Sequence, residues 1–397
     1  MMKYNSDVPP SANDRDDYPI IVHSHLGWDW VWQRPQQFLS RLSKRHPVLF
    51  IEGPCPTDAV HTPKATLREV SDYPNIVVLQ MQMPASRWND GAWIDKERRH
   101  LVQTLLSGPL GLRFESPIQW FYDPMAVTAF AGHLNERAIV YDCMDELSLF
   151  RGAPPELVKR ERELLAVADI VFAGGPKMWR AKKEYNANCF CFGCGVDAKH
   201  FATARDPGLS LPADLTGIGH PIYGYVGVVD ERIDYDLVAA LADHGGGNVV
   251  MVGPTTKVDP ASLPQRPNLH WLGGRDYAQL PAYLKAFDVC LMPFALNDAT
   301  AFINPTKALE YMATGIPIVS TAIDDVVAQF SEVVDVAQNL TDFVIKARAV
   351  AARPDKARID RGHTLVRDSS WESIVSQLEQ HLGETLASKR TLEVNAA

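Results

Sequence analysis

Lys307 and Glu310 stand three residues apart at the start of a helix read from N-P-T-K-A-L-E-Y-M-A-T-G-I-P-I-V-S-T (304–321). Asn304 suits an N-cap, and Pro305 suits the first helical position, where its missing N–H would have no partner anyway. A cation in the first turn opposes the helix dipole at a cost of ~0.3–1 kcal/mol. Lys307 therefore points to an anion such as a phosphate, held between its ammonium and the helix amides. Glu310, one turn further in, has oxygens for two neighbouring hydroxyls of the kind a ribose diol offers. The simpler explanation of both residues is a solvated polar face. A metal reading of Asp234-Tyr235-Asp236 competes with helix capping and loses, because acids at a helix start satisfy orphan N–H groups and complement the dipole. The triplet Cys189, Cys191 and Cys194 reads as reduced thiols near a strand end, not as a metal site. No metal is expected.

The helix that carries Lys307 needs a buried side, and Ala308, Leu309, Met312 and Ala313 supply it. Lys307, Glu310, Tyr311 and Thr314 form the opposite stripe. Gly315 ends the helix, Pro317 prevents a restart, and Ile316 to Ser320 reads as a buried strand. The same alternation runs through the chain. Strands are expected at Pro19–His23, Val48–Ile51, Asn75–Met81, Ile118–Tyr122, Ala138–Asp142 and Asp169–Ala173, with helical patterns between them, as in a doubly wound α/β domain. Periodicity stops from Phe201 to His220, where Pro207, Gly208, Pro212, Gly217 and Gly219 cluster. It resumes with strands at Ile222–Val228, Asn248–Val252, Asn268–Trp271, Val289–Pro293 and Ile316–Ser320.

The expected organisation is a disordered tail over 1–18, an N-terminal domain over 19–200, a linker over 201–220, a C-terminal domain over 221–370, and a helix and tail over 371–397 packing back across the junction. The fold class is α/β, with two similar doubly wound domains facing across a cleft. A chain of 397 residues suits two such cores. Residues 1–200 are near charge balance, and most of the formal charge of −9 lies in the second half, which argues against wholesale nucleic-acid binding. No apolar run approaches the ~20 residues that cross a bilayer. The polar N-terminus lacks a signal-peptide pattern, so a cytoplasmic location is expected.

W-Q-R-P-Q-Q-F-L (32–39), V-Y-D-C-M-D-E-L-S (140–148), Y-V-G-V-V-D-E-R-I-D (225–234) and the 305–320 segment together resemble glycosyltransferases of the two-Rossmann-domain GT-B class, with bacterial exopolysaccharide and teichuronic-acid glycosyltransferases nearest in character. The resemblance spans about Pro19 to Leu382. It implies a nucleotide diphosphate sugar, UDP or GDP type, bound by the C-terminal domain, with the diphosphate leaving as an acceptor hydroxyl attacks the anomeric carbon. In that reading Lys307 with Pro305 and Thr306 meets the diphosphate, Glu310 the ribose, and Arg232 is a second diphosphate contact. Gly227 and Gly253 let backbone approach the nucleotide, and backbone at Leu272 and Gly273 meets the base. Arg232 reads equally well as a surface arginine in an acidic loop, and strand-end glycines are usually turns.

Asp145 is the candidate general base. It follows a strand at the carboxyl end where open α/β sheets place ligands, with Asp142 and Glu146 close enough to raise its pKa by repulsion. Its plain alternative is a cap of the next helix. His25 and Asp29 are acceptor contacts of second rank. Many retaining members of the class carry a glutamate where this chain has Phe302, which favours inversion with Asp145 as base.

No cofactor is expected beyond the nucleotide sugar as co-substrate. The partners are that donor and a saccharide or lipid-linked acceptor; the basic run Lys177, Arg180, Lys182 and Lys183 offers a peripheral contact at the inner membrane face, although a solvated helix is its simpler meaning. A non-catalytic nucleotide-sugar-binding protein and a sugar-nucleotide epimerase of the same fold are the alternatives.

Overall fold

The structure is a computed structural model that describes residues 17–108, 110–304 and 306–396. Residues 1–16 of the expected tail, and Pro305, lie outside the described residues. Tyr18, placed in that tail by the sequence, is instead buried and stacks on His46 at 4.0 Å between ring centroids. An aromatic ring with a partner to cover it gains too much from burial to stay in solvent.

The chain divides into two compact units, Met1–Trp28 with Leu39–Val140 and Leu378–Ala397, and Asp29–Phe38 with Tyr141–Gln377. In the first unit the strands are β1 (Ile20–His23), β2 (Val48–Ile51), β3 (Cys55–Thr57), β4 (Lys64–Glu69), β5 (Ile76–Pro84), β6 (Ile118–Phe121) and the start of β7 (Ala138–Cys143). They run in the order β3-β5-β2-β1-β6-β7, with β4 antiparallel on β5. Every residue of β1, β2 and β6 is buried. Short continuous Val, Ile, Leu and Phe runs are what a parallel sheet covered on both faces requires. The expected strand Val48–Ile51 matches to the residue. β3 and β4 carried no such signal, because β4 reads Lys-Ala-Thr-Leu-Arg-Glu and is largely exposed. Its charges blunt an edge.

The second unit holds the end of β7, then β8 (Ile170–Ala173) and β9 (Cys189–Cys191), ordered β7-β8-β9. It also holds a six-stranded parallel sheet of β10 (Ile222–Val226), β11 (Asn248–Val252), β12 (Leu269–Gly273), β13 (Val289–Met292), β14 (Ile318–Thr321) and β15 (Asp335–Ala337). Its order is β12-β11-β10-β13-β14-β15. β10 thus lies between strands that the chain adds on opposite sides, and the carboxyl end of such a strand is where the following loops diverge and leave room for a ligand. One apolar core joins this sheet to its helices, from Val196 to Val366.

Residues 201–220 sit within the second unit and include the short 3-10 turns Thr203–Arg205 and Ala213–Leu215. The last helix, Trp371–Ala396, counts with the second unit up to Gln377 and with the first from Leu378.

Candidate functional site at the carboxyl end of β10

Gly227 follows β10 with φ +150°, and its N–H donates to Val252 O at 2.8 Å. A Cβ here would collide with Lys307 Cε and stand 2.5 Å from Lys307 Nζ and 2.8 Å from the Tyr225 hydroxyl. The lysine therefore lies directly over a backbone position that only glycine can fill without strain. Gly253, after β11, has φ +155°, and a Cβ on it would collide with Gly227 O. Its N–H donates to Gly273 O at 2.9 Å, at the end of β12, where Leu272 is half-buried. Three adjacent strand ends thus present backbone with no side chain at Gly227, Gly253 and Gly273.

Lys307 reaches this shelf because its helix, Thr306–Thr314, is fastened to β10. Val226 N–H donates to the Tyr311 hydroxyl at 2.9 Å, and that hydroxyl donates to Val226 O at 3.3 Å. Tyr311 and Thr314, expected on the solvated stripe, are buried. The correction has a physical cause. The Thr314 hydroxyl donates to Tyr311 O at 2.6 Å and accepts from Ile316 N at 3.2 Å, so both polar groups are satisfied inside the fold. Only Lys307 and Glu310 of that stripe keep partial exposure.

Burial pushes the Lys307 ammonium below its ordinary pKa; Glu310 opposes the shift, and Arg232 adds to it. Burial likewise pushes the Glu310 carboxyl up, with Lys307 opposing. The Lys307 Nζ stands 5.6 Å from the centroid of Tyr225. Arg232 is held in a fork by buried Asp230: its Nε donates to Oδ1 and Oδ2 at 2.9 and 3.0 Å, and its Nη2 to Oδ2 at 2.7 Å. Phe150 lies 5.5 Å beneath the guanidinium and 4.4 Å from Lys257 Nζ. A fork–fork pair fixes the plane of the guanidinium as a positioned donor. The charges of Asp145 and Glu310 both bear on Cys194, and that of Asp145 also on Arg232. Thr306 is hydrogen-bonded to the Cys194 thiol. Asp145, Cys194, Arg232, Thr306, Lys307 and Glu310 therefore form one neighbourhood.

The two acids flanking Asp145 are compensated, contrary to the expected repulsion. Arg34 Nε donates to Asp142 Oδ1 at 2.8 Å, with both side chains buried, and Arg34 Nη1 donates to Phe192 O at 2.8 Å. Lys182 Nζ meets Glu146 Oε2 and Glu161 Oε1, each at 2.6 Å, and the Ser148 hydroxyl donates to Glu146 at 2.6 Å. Lys182, counted by the sequence toward a basic membrane-facing run, is consequently buried. Lys177 from the same run pairs with Asp324 at 2.6 Å.

Asp234 accepts from Leu237 N at 2.9 Å and caps the helix Tyr235–His244, the structural role expected of that acid. His25 lies in the first unit, on the loop after β1, and exposed Asp29 lies in the second. Arg34 and Tyr225 were given no role by the sequence. Each stood inside a quoted motif, but the carboxylate that explains Arg34 is 108 residues away.

Comparison with known proteins bears on the fold that carries these residues. Residues 228–354 match the family model described as "Glycosyl transferases group 1". A Bacillus subtilis (strain 168) protein, TuaH, named for teichuronic acid biosynthesis as a glycosyltransferase, is 22% identical over 324 residues, covering 74% of this chain and 79% of that one. Among solved structures, sucrose-phosphate synthase from Thermosynechococcus elongatus has a TM-score of 0.68 at 18% identity, covering 94% of this chain and 100% of its own. An α,α-trehalose 6-phosphate synthase from Burkholderia multivorans has a TM-score of 0.63 at 14% identity, covering 96% and 100%. An E. coli trehalose-6-phosphate structure bound with UDP-2-fluoro glucose has a TM-score of 0.61 at 15% identity, covering 93% and 99%. The chain thus has the GT-B fold, and its residues 228–354 are similar to the glycosyl transferases group 1 family.

Proposed function

We propose that this protein is a glycosyltransferase of hexosyltransferase type that takes a nucleotide diphosphate sugar, UDP or GDP type, and needs no metal. It passes the sugar to a hydroxyl of a saccharide or lipid-linked acceptor in polysaccharide or glycolipid synthesis. The observation that carries the proposal is Lys307 lying over Gly227 at the end of β10, a cation set beside bare backbone. As the bond from the anomeric carbon to the diphosphate oxygen breaks, negative charge grows on that oxygen. Lys307, the Thr306–Thr314 helix start and Arg232 stand where that charge can be stabilised. Glu310 accepts from the ribose hydroxyls. Asp145 takes the proton from the acceptor hydroxyl as its oxygen bonds to the anomeric carbon. His25 and Asp29 are proposed acceptor contacts. Backbone at Leu272 and Gly273 is proposed to meet the base.

The B. subtilis relative's name supports the polymer class, and the UDP-2-fluoro glucose bound in the E. coli structure supports the donor class. Among the described residues no helix is long and apolar enough to cross a membrane. Contact with a membrane surface would rest on Arg180 and Lys183, since Lys177 and Lys182 are paired within the fold.

A thermal-shift screen with UDP, GDP and ADP tests the donor site, because a ligand that binds the native state raises Tm by mass action. Stabilisation by one diphosphate above the others identifies the base. No shift with any of them overturns the reading. With the matching sugar nucleotide, Asp145→Ala is expected to keep the shift and to lose transfer. Conversion of the free sugar nucleotide to its epimer, or binding without turnover, would replace transfer by one of the alternatives.

A further inference from the structure

We propose that Asn304 is a positioning residue, a clasp that ties the loop bearing Asp145 to the helix start bearing Lys307. This rests on the roles proposed above for those two residues. The Asn304 Nδ2 donates to Gly174 O at 2.7 Å, across 130 residues of sequence. The Gly174 N–H in turn donates to Cys143 O at 2.9 Å, two residues before Asp145. On the other side, Thr306 N–H donates to Asn304 O at 3.0 Å, and Lys307 follows. One glycine residue and one amide side chain therefore connect the two halves of the site.

The surroundings leave the amide little freedom. A Cβ on Gly175 would stand 3.0 Å from Asn304 Cβ, and one on Gly193 would stand 2.9 Å from Asn304 Nδ2. A Cβ on Gly174 would stand 2.9 Å from Met144 O, the residue next to Asp145. Three glycines thus let backbone close around this side chain and let Gly174 seat directly beneath Met144. A contact closer than ~3 Å between a Cβ and backbone forces a shift, so Gly174 is required by its approach to Met144, while a side chain at Gly175 or Gly193 would crowd the Asn304 amide. The Cys194 thiol adds a weak contact to Asn304 O at 3.8 Å.

Such a linkage couples the half-sites. A nucleotide seated on the Lys307 helix start fixes Asn304, which fixes Gly174 and the backbone that presents Asp145. Donor occupancy is thereby transmitted to the base loop, which it holds more firmly in place.

Amide hydrogen exchange of the full chain, with and without the diphosphate chosen from UDP, GDP and ADP by the thermal screen, tests the clasp. In the natural sequence, saturating nucleotide should slow exchange at 142–148 by about fivefold or more, the lower end of ordinary coupling between sites. Asn304→Ala should keep nucleotide affinity within about threefold and lose that slowing. Gly193→Ala, which crowds the same amide without touching Gly174, should reproduce the loss. Turnover of the sugar nucleotide should fall by about 10- to 100-fold in Asn304→Ala, as for a misplaced reacting group.

Slowing at 142–148 that persists in Asn304→Ala overturns the proposal. So does loss of nucleotide binding in that variant, which would make Asn304 a donor-site residue only. Failure of the natural sequence to bind any of the three diphosphates sinks the functional reading itself, a result distinct from either.

Discussion

The loop after β7 and the Lys307 helix start over the end of β10 lie at the carboxyl ends of strands in the second unit, yet their cations are met differently. After β7, the cations meet carboxylates at short range: Arg34 with Asp142 at 2.8 Å, Lys182 with Glu146 and Glu161 at 2.6 Å. After β10, Lys307 lies on Gly227, and burial lowers its pKa in spite of Glu310. The first loop uses its charges to hold backbone. The second sets a cation where burial disfavours its charge, with Glu310 opposing that effect. Arg232, forked to Asp230 beside it, shows that the donor neighbourhood holds a compensated cation as well.

Breaking the compensated side should have the largest effect. Arg34→Met leaves Asp142 buried without its partner and should cost about 3–5 kcal/mol in denaturant unfolding. Adding Asp142→Leu should return most of that loss, because the pair as a whole contributes little beyond its own desolvation. A double variant as unstable as the single one would mean that the Arg34 bond to Phe192 O, not the ion pair, holds the loop.

Lys307→Met should reverse the pattern. It removes a charge-assisted contact and should weaken nucleoside diphosphate binding by about 1.5–3 kcal/mol, roughly 10- to 100-fold in Kd by calorimetry. The same change should leave stability level or slightly raised, since it deletes a cation that burial disfavours. A marked loss of stability with unchanged affinity would move Lys307 to the structural class.

The two lysines should also differ in the sign of their pH dependence, the smallest of these effects. Lys307 has a folded pKa below its unfolded value, so between the two the unfolded chain binds more protons and stability climbs as pH rises. Lys182 has a folded pKa raised by its acidic partners against the cost of its burial. Its contribution is complete below the ordinary lysine value and is lost as pH rises through the higher folded one. Unfolding from pH 8 upward, compared with Lys307→Met and Lys182→Met, should show an upward component missing in the first variant and a downward one missing in the second. Equal slopes in both variants would erase the distinction.

Gly227→Ala sharpens the same contrast at the donor side. The new methyl group would meet Lys307 in a backbone conformation that L-residues rarely adopt. It should displace the lysine and weaken the nucleotide nearly as much as Lys307→Met does, with an added stability loss of about 1–3 kcal/mol from strain.

Local periodicity determined most of the architecture. Runs such as Val48–Ile51 and Asn248–Val252 name their strands because a strand covered on both faces needs unbroken apolar residues. Asp234 names its helix start because an orphan N–H lies within three residues. The 305–320 segment placed Lys307 and Glu310 one turn apart, which fixed the two groups offered to a ligand. Tertiary structure decided everything whose partner is distant. Tyr311 was read as solvent-facing until Val226, 85 residues earlier, accounted for its hydroxyl. Asn304 was read as a cap, and Gly174, 130 residues earlier, gave its amide a partner, while Arg34 had no meaning without Asp142. The edge strand Lys64–Glu69 stayed hidden because it pairs through its backbone and buries few side chains. Short-range order is written in the spacing of neighbours, whereas a buried polar group is understood only once the fold has brought it a partner.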